Sequence, residues 1–70
     1  MKTLIEVLSK MKAQNKDSII AIYKNGASTH GNAQQLFDSV STEKNLFSST
    51  DLVENIKTSY YSTTINLKEA

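Results

Sequence analysis

A short apolar run followed at once by an asparagine-glycine pair constrains the fold more than any other feature of this sequence. Residues 18–23 read SIIAIY, and Asn25-Gly26 comes one residue later. A run this short and this rich in β-branched residues is typical of a buried strand. Both residues of the pair tolerate the positive φ angles of a type I′ turn. We therefore predict a β-hairpin in which residues 27–30 run back antiparallel and Gly31 ends the strand.

Amphipathic helices are predicted on each side of this hairpin. Thr3 and Glu6 match a capping box at the start of the first helix, and Asn32 and Gln35 match one at the start of the second. Apolar residues then recur at helical spacing along one face of each helix. These are Leu4, Leu8 and Met11 in the first helix, and Ala33, Leu36, Phe37 and Val40 in the second. Each stripe predicts a helix with one face turned to a core.

The second half of the chain is less regular. Residues 41–50 are polar apart from Leu46 and Phe47, and we expect a loop held in place by those two side chains. Residues 51–58 begin with DLVE, which would suit the N-terminus of a third helix. Alternating apolar residues and a high content of Thr and Tyr favour strands instead.

We adopt the strand alternative for this segment. It predicts a closing hairpin made of residues 53–60 and 63–68 that turns near residues 61–62. The whole chain, residues 1–70, is then a single small α+β domain with the order N-terminal helix, β-hairpin, second helix, C-terminal β-hairpin. We expect a small antiparallel sheet with the helices packed on one face.

The small size of the chain bears on how it is stabilised. A chain of 70 residues buries only about 60% of the surface that its unfolded form exposes. Domains of this size often add disulfides, a metal or a partner subunit. The chain has no Cys and one His, which excludes disulfides and leaves a metal site short of ligands. Self-association as a homodimer or homo-oligomer is one remaining way to gain stability.

The set of reactive residues argues against an enzyme. The absence of Cys excludes thiolate zinc sites, iron–sulfur clusters and cysteine nucleophiles together. A catalytic His30 would need an orienting carboxylate and a nucleophile, and no spacing forces it towards the nearest downstream acid, Asp38. The sequence also lacks a G-x-S-x-G nucleophile motif. We expect His30 to be a partly exposed strand-end residue, and we expect no catalytic, metal-binding or cofactor-binding residues.

The charge pattern narrows the classes of partner. Eight Lys against seven acidic residues leave a net charge of +1, and Arg is absent. Without Arg the chain lacks the bidentate donor that reads guanine edges and clamps phosphates. The sequence also lacks an apolar run long enough to span a bilayer and the unbroken apolar core of a signal peptide. We expect a cytoplasmic protein with no membrane partner, and we disfavour nucleic acid as a ligand.

Aromatic residues are the best candidates for a binding surface. Tyr60 and Tyr61 are neighbours near the end of a predicted strand, and neighbouring strand residues point to opposite faces of a sheet. At most one can then pack into the core, and an exposed Tyr is a preferred hot-spot residue at protein interfaces. The alternative is that the outer tyrosine only covers a cross-strand neighbour. Our candidate partner-binding residues are Tyr60 and Tyr61, with Phe47 as a third.

The order of elements resembles that of the short α+β proteins common in bacteriophage and prophage genomes. In those proteins a helix like TLIEVLSKM is followed by a strand and turn like IIAIYKNG, a helix like NAQQLFDSV and a hairpin like NIKTSYYSTTINLK. The resemblance is one of layout and covers nearly the whole chain. It implies a stoichiometric inhibitor of a host or antiviral defence protein, of the anti-CRISPR type, in the cytoplasm of a bacterial host. Strong negative charge, frequent in anti-CRISPR proteins, is lacking, so we do not expect imitation of a nucleic-acid backbone.

Two other functions remain open at this point. An oligomer could hold a nucleotide signal between subunits, with the helix N-termini at Thr3 and Asn32 binding phosphate. A weak nucleic-acid-binding accessory module would instead use the N-terminal lysines against phosphates and the tyrosines for base stacking. Those lysines are Lys2, Lys10, Lys12 and Lys16.

Overall fold

The computed structural model describes residues 2–69. Within this range the chain forms two helices and one four-stranded sheet. The elements are α1 (Leu4–Gln14), β1 (Ile19–Lys24), β2 (Ala27–Asn32), α2 (Ala33–Ser41), β3 (Val53–Thr58) and β4 (Thr63–Leu67). The predicted α+β class and the order of helices and hairpins are confirmed, and the segment whose state was open forms a strand.

The first hairpin has the predicted tight turn. Asn25 and Gly26 have φ angles of 51° and 81°, and these two residues alone connect β1 to β2. Both central positions of a type I′ turn require positive φ, which explains this residue pair. The prediction that Gly31 ends the strand is wrong, because β2 continues to Asn32. A glycine keeps the backbone N–H and C=O groups that strand pairing needs, so it need not interrupt a short hairpin strand.

Both predicted capping boxes are present. At α1, the Thr3 Oγ1 accepts from the Glu6 N–H at 3.4 Å, and the Thr3 N–H donates to the Glu6 carboxylate at 3.3 Å. At α2, the Asn32 side chain accepts from the Gln35 N–H at 2.8 Å, and the Asn32 N–H donates to Gln35 Oε1 at 3.2 Å. Asn32 is both the last residue of β2 and the N-cap of α2. The second helix therefore follows the first hairpin without a separate loop.

The sheet is mixed, whereas a small antiparallel sheet was predicted. Its strand order is β2-β1-β4-β3. The two hairpin pairs are antiparallel, but β1 and β4, which lie in the centre, are parallel to each other. The parallel pair is possible because α2 and the following loop form a long connection that carries the chain across the sheet. This topology makes β2 and β3 the two edge strands.

Both helices pack on one face of the sheet, as predicted. Ile20 and Ile22 of β1 and Ile65 and Leu67 of β4 point to this face and are buried against the apolar stripes of the helices. The helix residues in this core are Leu4, Val7 and Leu8 from α1, and Ala33, Leu36 and Val40 from α2. Alternate strand residues point to the other face. Within the described residues neither helix contributes to that second face.

Asp51 fixes the end of the long loop that leads into β3. Its carboxylate accepts hydrogen bonds from the Lys24 Nζ at 2.8 Å and from the Ser48 N–H at 3.0 Å. Its carbonyl accepts from the Leu4 N–H at 2.7 Å. Burial is the largest single influence on its carboxyl group and raises the pKa, but the Lys24 and Ser48 interactions together outweigh it and leave the pKa below its ordinary value. Asp51 therefore joins β1, the loop and the start of α1.

Candidate functional site

Tyr60 and Tyr61 lie at the tip of the β3–β4 hairpin. Because β3 ends at Thr58 and β4 begins at Thr63, both tyrosines belong to the connecting turn. Their exposed fractions are 92% and 83%. The prediction that strand alternation separates their two side chains is wrong, because alternation does not extend into a turn. Both rings are on the surface.

Serine side chains close this turn. The Ser59 N–H and the Ser59 Oγ both donate to the Ser62 carbonyl, at 2.8 and 2.9 Å. The Ser62 N–H donates back to the Ser59 Oγ at 3.2 Å. None of the four turn residues has a positive φ. The turn geometry therefore depends on the serines at its ends and makes no demand on the side chains at its two central positions.

The two tyrosine rings also contact each other. Their centroids are 4.8 Å apart and their planes are inclined at 77°, an edge-to-face arrangement. The negative face of one aromatic ring attracts the positive edge of another, and this geometry is a favourable one. A tyrosine has two side-chain torsions, so holding it in one orientation costs little conformational entropy. The tip thus presents two rings in mutual contact and two phenolic hydroxyl groups.

A groove of about 360 Å³ opens beside the tip. The hairpin turn forms one wall, and the α1–β1 connection with the first residue of β1 forms the other. That first residue, Ile19, is more than half exposed. The tyrosines therefore have an aliphatic neighbour across the groove, among Ser, Thr, Asn and Asp side chains that can exchange hydrogen bonds with a partner.

A second groove, of about 420 Å³, lies between α1 and β3. Val7 and Met11 of α1 and Ile56 of β3 are its apolar lining, and Lys2 and Lys10 are its cations. The two grooves share Ser18, Thr58 and Thr63, so they adjoin. Sequence reasoning missed this groove, because the alternation of β3 predicts which side Ile56 faces and does not show that α1 leaves that side partly uncovered.

Phe47, the third candidate residue, is not at this site. Its ring is only 5% exposed and belongs to the hydrophobic core, whereas the neighbouring Leu46 is 68% exposed. Of the two apolar residues only Phe47 holds the loop against the core, and the expectation that Leu46 shares this task is wrong. The physical reason is that the loop lies against the core on the side of its backbone that carries Phe47, which leaves the adjacent Leu46 facing solvent. Phe47 is therefore corrected from a partner-binding residue to a core residue.

His30 lies on the opposite, helix-free face of the sheet. It is exposed, pairs with Ala21 in the interior of the hairpin and packs edge-to-face against Tyr23, with ring centroids 6.3 Å apart. It is thus further from the strand end than predicted. Among residues 2–69, no three or more His, Asp and Glu side chains are grouped so that they could hold a metal ion.

The N-terminus of α1 is already satisfied within the protein. The first N–H groups of α1 donate to the carbonyls of Asp51 and Ser49 and to the Thr3 hydroxyl. The Glu6 carboxylate accepts hydrogen bonds from the Thr3 N–H and the Thr3 hydroxyl. A phosphate binds at a helix N-terminus through free N–H groups, and these are engaged.

The N-terminus of α2 is satisfied in the same way. Its first N–H groups donate to the carbonyls of Ser18 and Lys16 and to the Asn32 side chain. Neither helix start therefore supplies the free donors on which the nucleotide-binding alternative depends.

The N-terminal lysines do not form one patch around the tyrosines. Lys2 and Lys10 line the groove between α1 and β3, whereas the Lys12 Nζ lies 4.4 Å from the centre of the Phe37 ring on α2. The structure thus separates cations that lie together in the sequence.

The comparisons add no relative from which a function could be carried over. The chain matches no protein-family model, no curated protein and no solved structure. In the part of the chain that the structure describes, no helix has both the length and the apolar character needed to cross a membrane.

Proposed function

We propose that this chain is a non-catalytic binding domain that acts by stoichiometric association with another protein, and that Tyr60 and Tyr61 are its main contact residues. The observation that carries the proposal is the exposure of both rings, 92% and 83%, on a turn that does not need them. Exposed aromatic side chains contribute no core packing. Tyr is among the residues most enriched at interface hot spots.

The surroundings of the tip support this role. The serine hydrogen bonds fix the backbone of the turn and the two rings contact each other edge-to-face, and a preformed contact surface lowers the entropy cost of association. The adjoining groove can receive a side chain from the partner beside Ile19. A patch with aromatic and aliphatic groups among polar ones has the composition of a protein interface.

The specific form of the proposal is inhibition of a host or antiviral defence protein inside a bacterial cell. It rests on the resemblance in layout to short phage proteins. A small domain with a near-neutral charge is suited to blocking a partner's surface by contact, since half of a standard interface needs only about 800 Å².

The first experiment tests whether binding depends on the tip. Immobilised protein is incubated with a bacterial lysate, and the retained protein is identified and its stoichiometry measured. We expect a single partner at a fixed ratio, retained by the unchanged chain and lost with the double variant Tyr60→Ser, Tyr61→Ser. Loss of a hot-spot residue typically costs at least about 2 kcal/mol, or roughly thirtyfold in affinity.

Tyr23→Ser is the matched control, because Tyr23 is also a partly exposed tyrosine but lies on the helix-free face of the sheet. It should retain the partner. Equal retention by the double variant would overturn the assignment to the hairpin tip. Retention that disappears after nuclease treatment, or that falls steeply with moderate salt, would instead indicate nucleic-acid binding.

A further inference from the structure

The outer edge of β3 is open over only part of its length. At its start, the Val53 N–H donates to the Lys2 carbonyl at 2.8 Å, and Thr3 forms an antiparallel bridge with Leu52. From residue 54 to residue 58, no strand of the described chain pairs with this edge. An edge strand of this kind presents unpaired N–H and C=O groups to any strand that approaches it.

Ile56 lies at the midpoint of the open stretch and is its only large apolar residue. It pairs with the fully buried Ile65, yet it is itself 45% exposed because of the groove between α1 and β3. Covering its remaining surface would be favourable, at about 25 cal/mol per Å² of apolar area. The unpaired backbone groups of β3 and the exposed surface of the Ile56 side chain thus lie at the same place.

We propose that β3 pairs antiparallel with β3 of a second copy of this chain, with the two-fold axis at Ile56. One continuous sheet then runs through both protomers. Since residues 54–58 are centred on Ile56, the open stretches of the two copies match end to end in this register. Ile56 lies opposite the partner's Ile56, and Asn55 lies opposite the partner's Lys57.

The ends of the open stretch and its charges favour this register over its neighbours. A pairing centred on Lys57 would place two ammonium groups directly opposite each other, which is destabilising. A pairing centred on Asn55 would require the edge at Val53, which the Lys2 carbonyl already occupies. The Ile56 register avoids both conflicts.

Charge also favours a second copy as the occupant. The groove between α1 and β3 is lined by Lys2 and Lys10, and no acidic side chain of the described residues lines it. In the proposed pairing, Glu54, which lies at the β-bulge between Val53 and Asn55, comes next to the partner's Thr58. Thr58 lines this groove together with Lys10, so the pairing brings a carboxylate of one copy close to a cation of the other. Each groove would receive the complementary charge from its partner.

This inference is independent of the proposed function. Tyr60 and Tyr61 lie beyond the end of β3, so the two tips stand at opposite ends of the paired strands and outside the paired residues 54–58. A dimer would then carry two binding tips.

Sedimentation velocity over a wide range of protein concentration tests the association. We expect the mass to rise from 7.8 kDa towards twice that value. Ile56→Lys should remain a monomer, because it puts two like charges at the two-fold axis. Leu46→Lys introduces the same charge at another exposed apolar residue, outside the interface, and should still dimerise.

Engineered cysteines test the register, and they do not depend on a lysine being tolerated at position 56. The chain has no Cys, so Ile56→Cys carries a single thiol. Directly opposite residues of an antiparallel pair have Cα atoms about 4.5–5.5 Å apart, within the range that a disulfide spans. In a glutathione redox buffer, Ile56→Cys should form a covalent dimer far more readily than Leu46→Cys. A mixture of Asn55→Cys and Lys57→Cys should form mainly the mixed disulfide.

Two results would overturn the proposal. One is a monomer at every concentration together with equal crosslinking of Ile56→Cys and Leu46→Cys, which would leave the edge to a strand from another protein. The other is a Lys57→Cys variant that crosslinks mainly with itself, which would refute the register. The double tyrosine variant should sediment like the unchanged chain, so failure of the tip proposal and failure of the dimer proposal are distinguishable.

Discussion

The two hairpins reverse the chain in different ways. The β1–β2 turn uses Asn25 and Gly26, and its two positive φ angles determine which residues fit. The β3–β4 turn uses four residues, has no positive φ and is closed by the hydrogen bonds of Ser59 and Ser62. The first pair of central residues is thus explained by backbone geometry. The second pair, both tyrosines, is not, and this difference is the main reason to assign binding to the second turn.

The strands of the two hairpins also differ, in how far their side chains are buried. β1 is a central strand, and its helix-facing isoleucines are fully buried. β3 is an edge strand with one buried residue, Val53, and five exposed ones. The first hairpin therefore carries much of the core, and the outer strand of the second hairpin offers surface. Substitutions in the first hairpin should therefore lower the free energy of unfolding more than substitutions at matched positions of the second hairpin.

The largest expected effect is the loss of a core isoleucine in β1. Ile22→Ala should lower the free energy of unfolding by about 3 kcal/mol, because it removes buried methyl groups and leaves a cavity. Ile56→Ala makes the same change in β3, where the side chain is 45% exposed, and should cost about 1 kcal/mol. Urea denaturation at a low protein concentration, where the monomer predominates, measures both. Equal losses would show that β3 is packed as tightly as β1 and would contradict the difference in burial between the two strands.

The next effect concerns the turns. Gly26→Ala should cost about 1–2 kcal/mol, because an L-residue with a side chain is strained at positive φ. Gly26 has φ of 81°, and an added Cβ would meet no heavy atom within 4 Å, so the cost comes from the backbone alone. Tyr61→Ala changes a central residue of the other turn and should alter stability by no more than about 0.5 kcal/mol. Thermal unfolding of the two variants, measured side by side with the unchanged chain, tests both predicted changes in stability. A large loss for Tyr61→Ala would mean that the tyrosines hold the second turn together.

The parts of the fold that were predictable from the sequence depend on residues close together along the chain. The Asn25-Gly26 turn is set by two adjacent residues, and the capping box of Thr3 and Glu6 by residues three apart. The parallel pairing of β1 with β4 is different, because it depends on how α2 and the long loop cross the sheet. No local pattern shows that β3 is an edge strand, and so the exposure of Ile56 was not foreseen.

The candidate site was predictable only in part, for the same reason. At least one of Tyr60 and Tyr61 could be predicted to be exposed, but their place in the turn depends on where the ladder between β3 and β4 ends. Leu46 and Phe47 are adjacent apolar residues in a polar segment, and sequence alone does not distinguish the one that enters the core. Burial of Phe47 is decided by the distant core against which the loop lies.

The smallest predicted effect concerns the ion pair that joins the two hairpins. Lys24, at the end of β1, bonds to Asp51, just before β3, at 2.8 Å. The pKa of Asp51 in the folded protein lies below its ordinary value of 3.8. The folded state therefore favours the ionised carboxylate. Its contribution to stability is fully present above the ordinary pKa and is lost as the pH falls through the lowered pKa of the folded state.

Asp51→Asn should remove this contribution, at a cost of about 1 kcal/mol near neutral pH, in the range of a partly exposed ion pair with its hydrogen bonds. Lys24→Gln removes the other partner, so the two single variants and the double variant form a cycle that isolates their coupling. Urea denaturation from neutral pH to below pH 3.8 should show a smaller acid-induced loss for Asp51→Asn than for the unchanged chain. Identical pH dependence in the two proteins would mean that the Asp51 carboxylate does not stabilise the folded state at neutral pH, and that the two hairpins are held together by the parallel pairing of β1 with β4 and by the core.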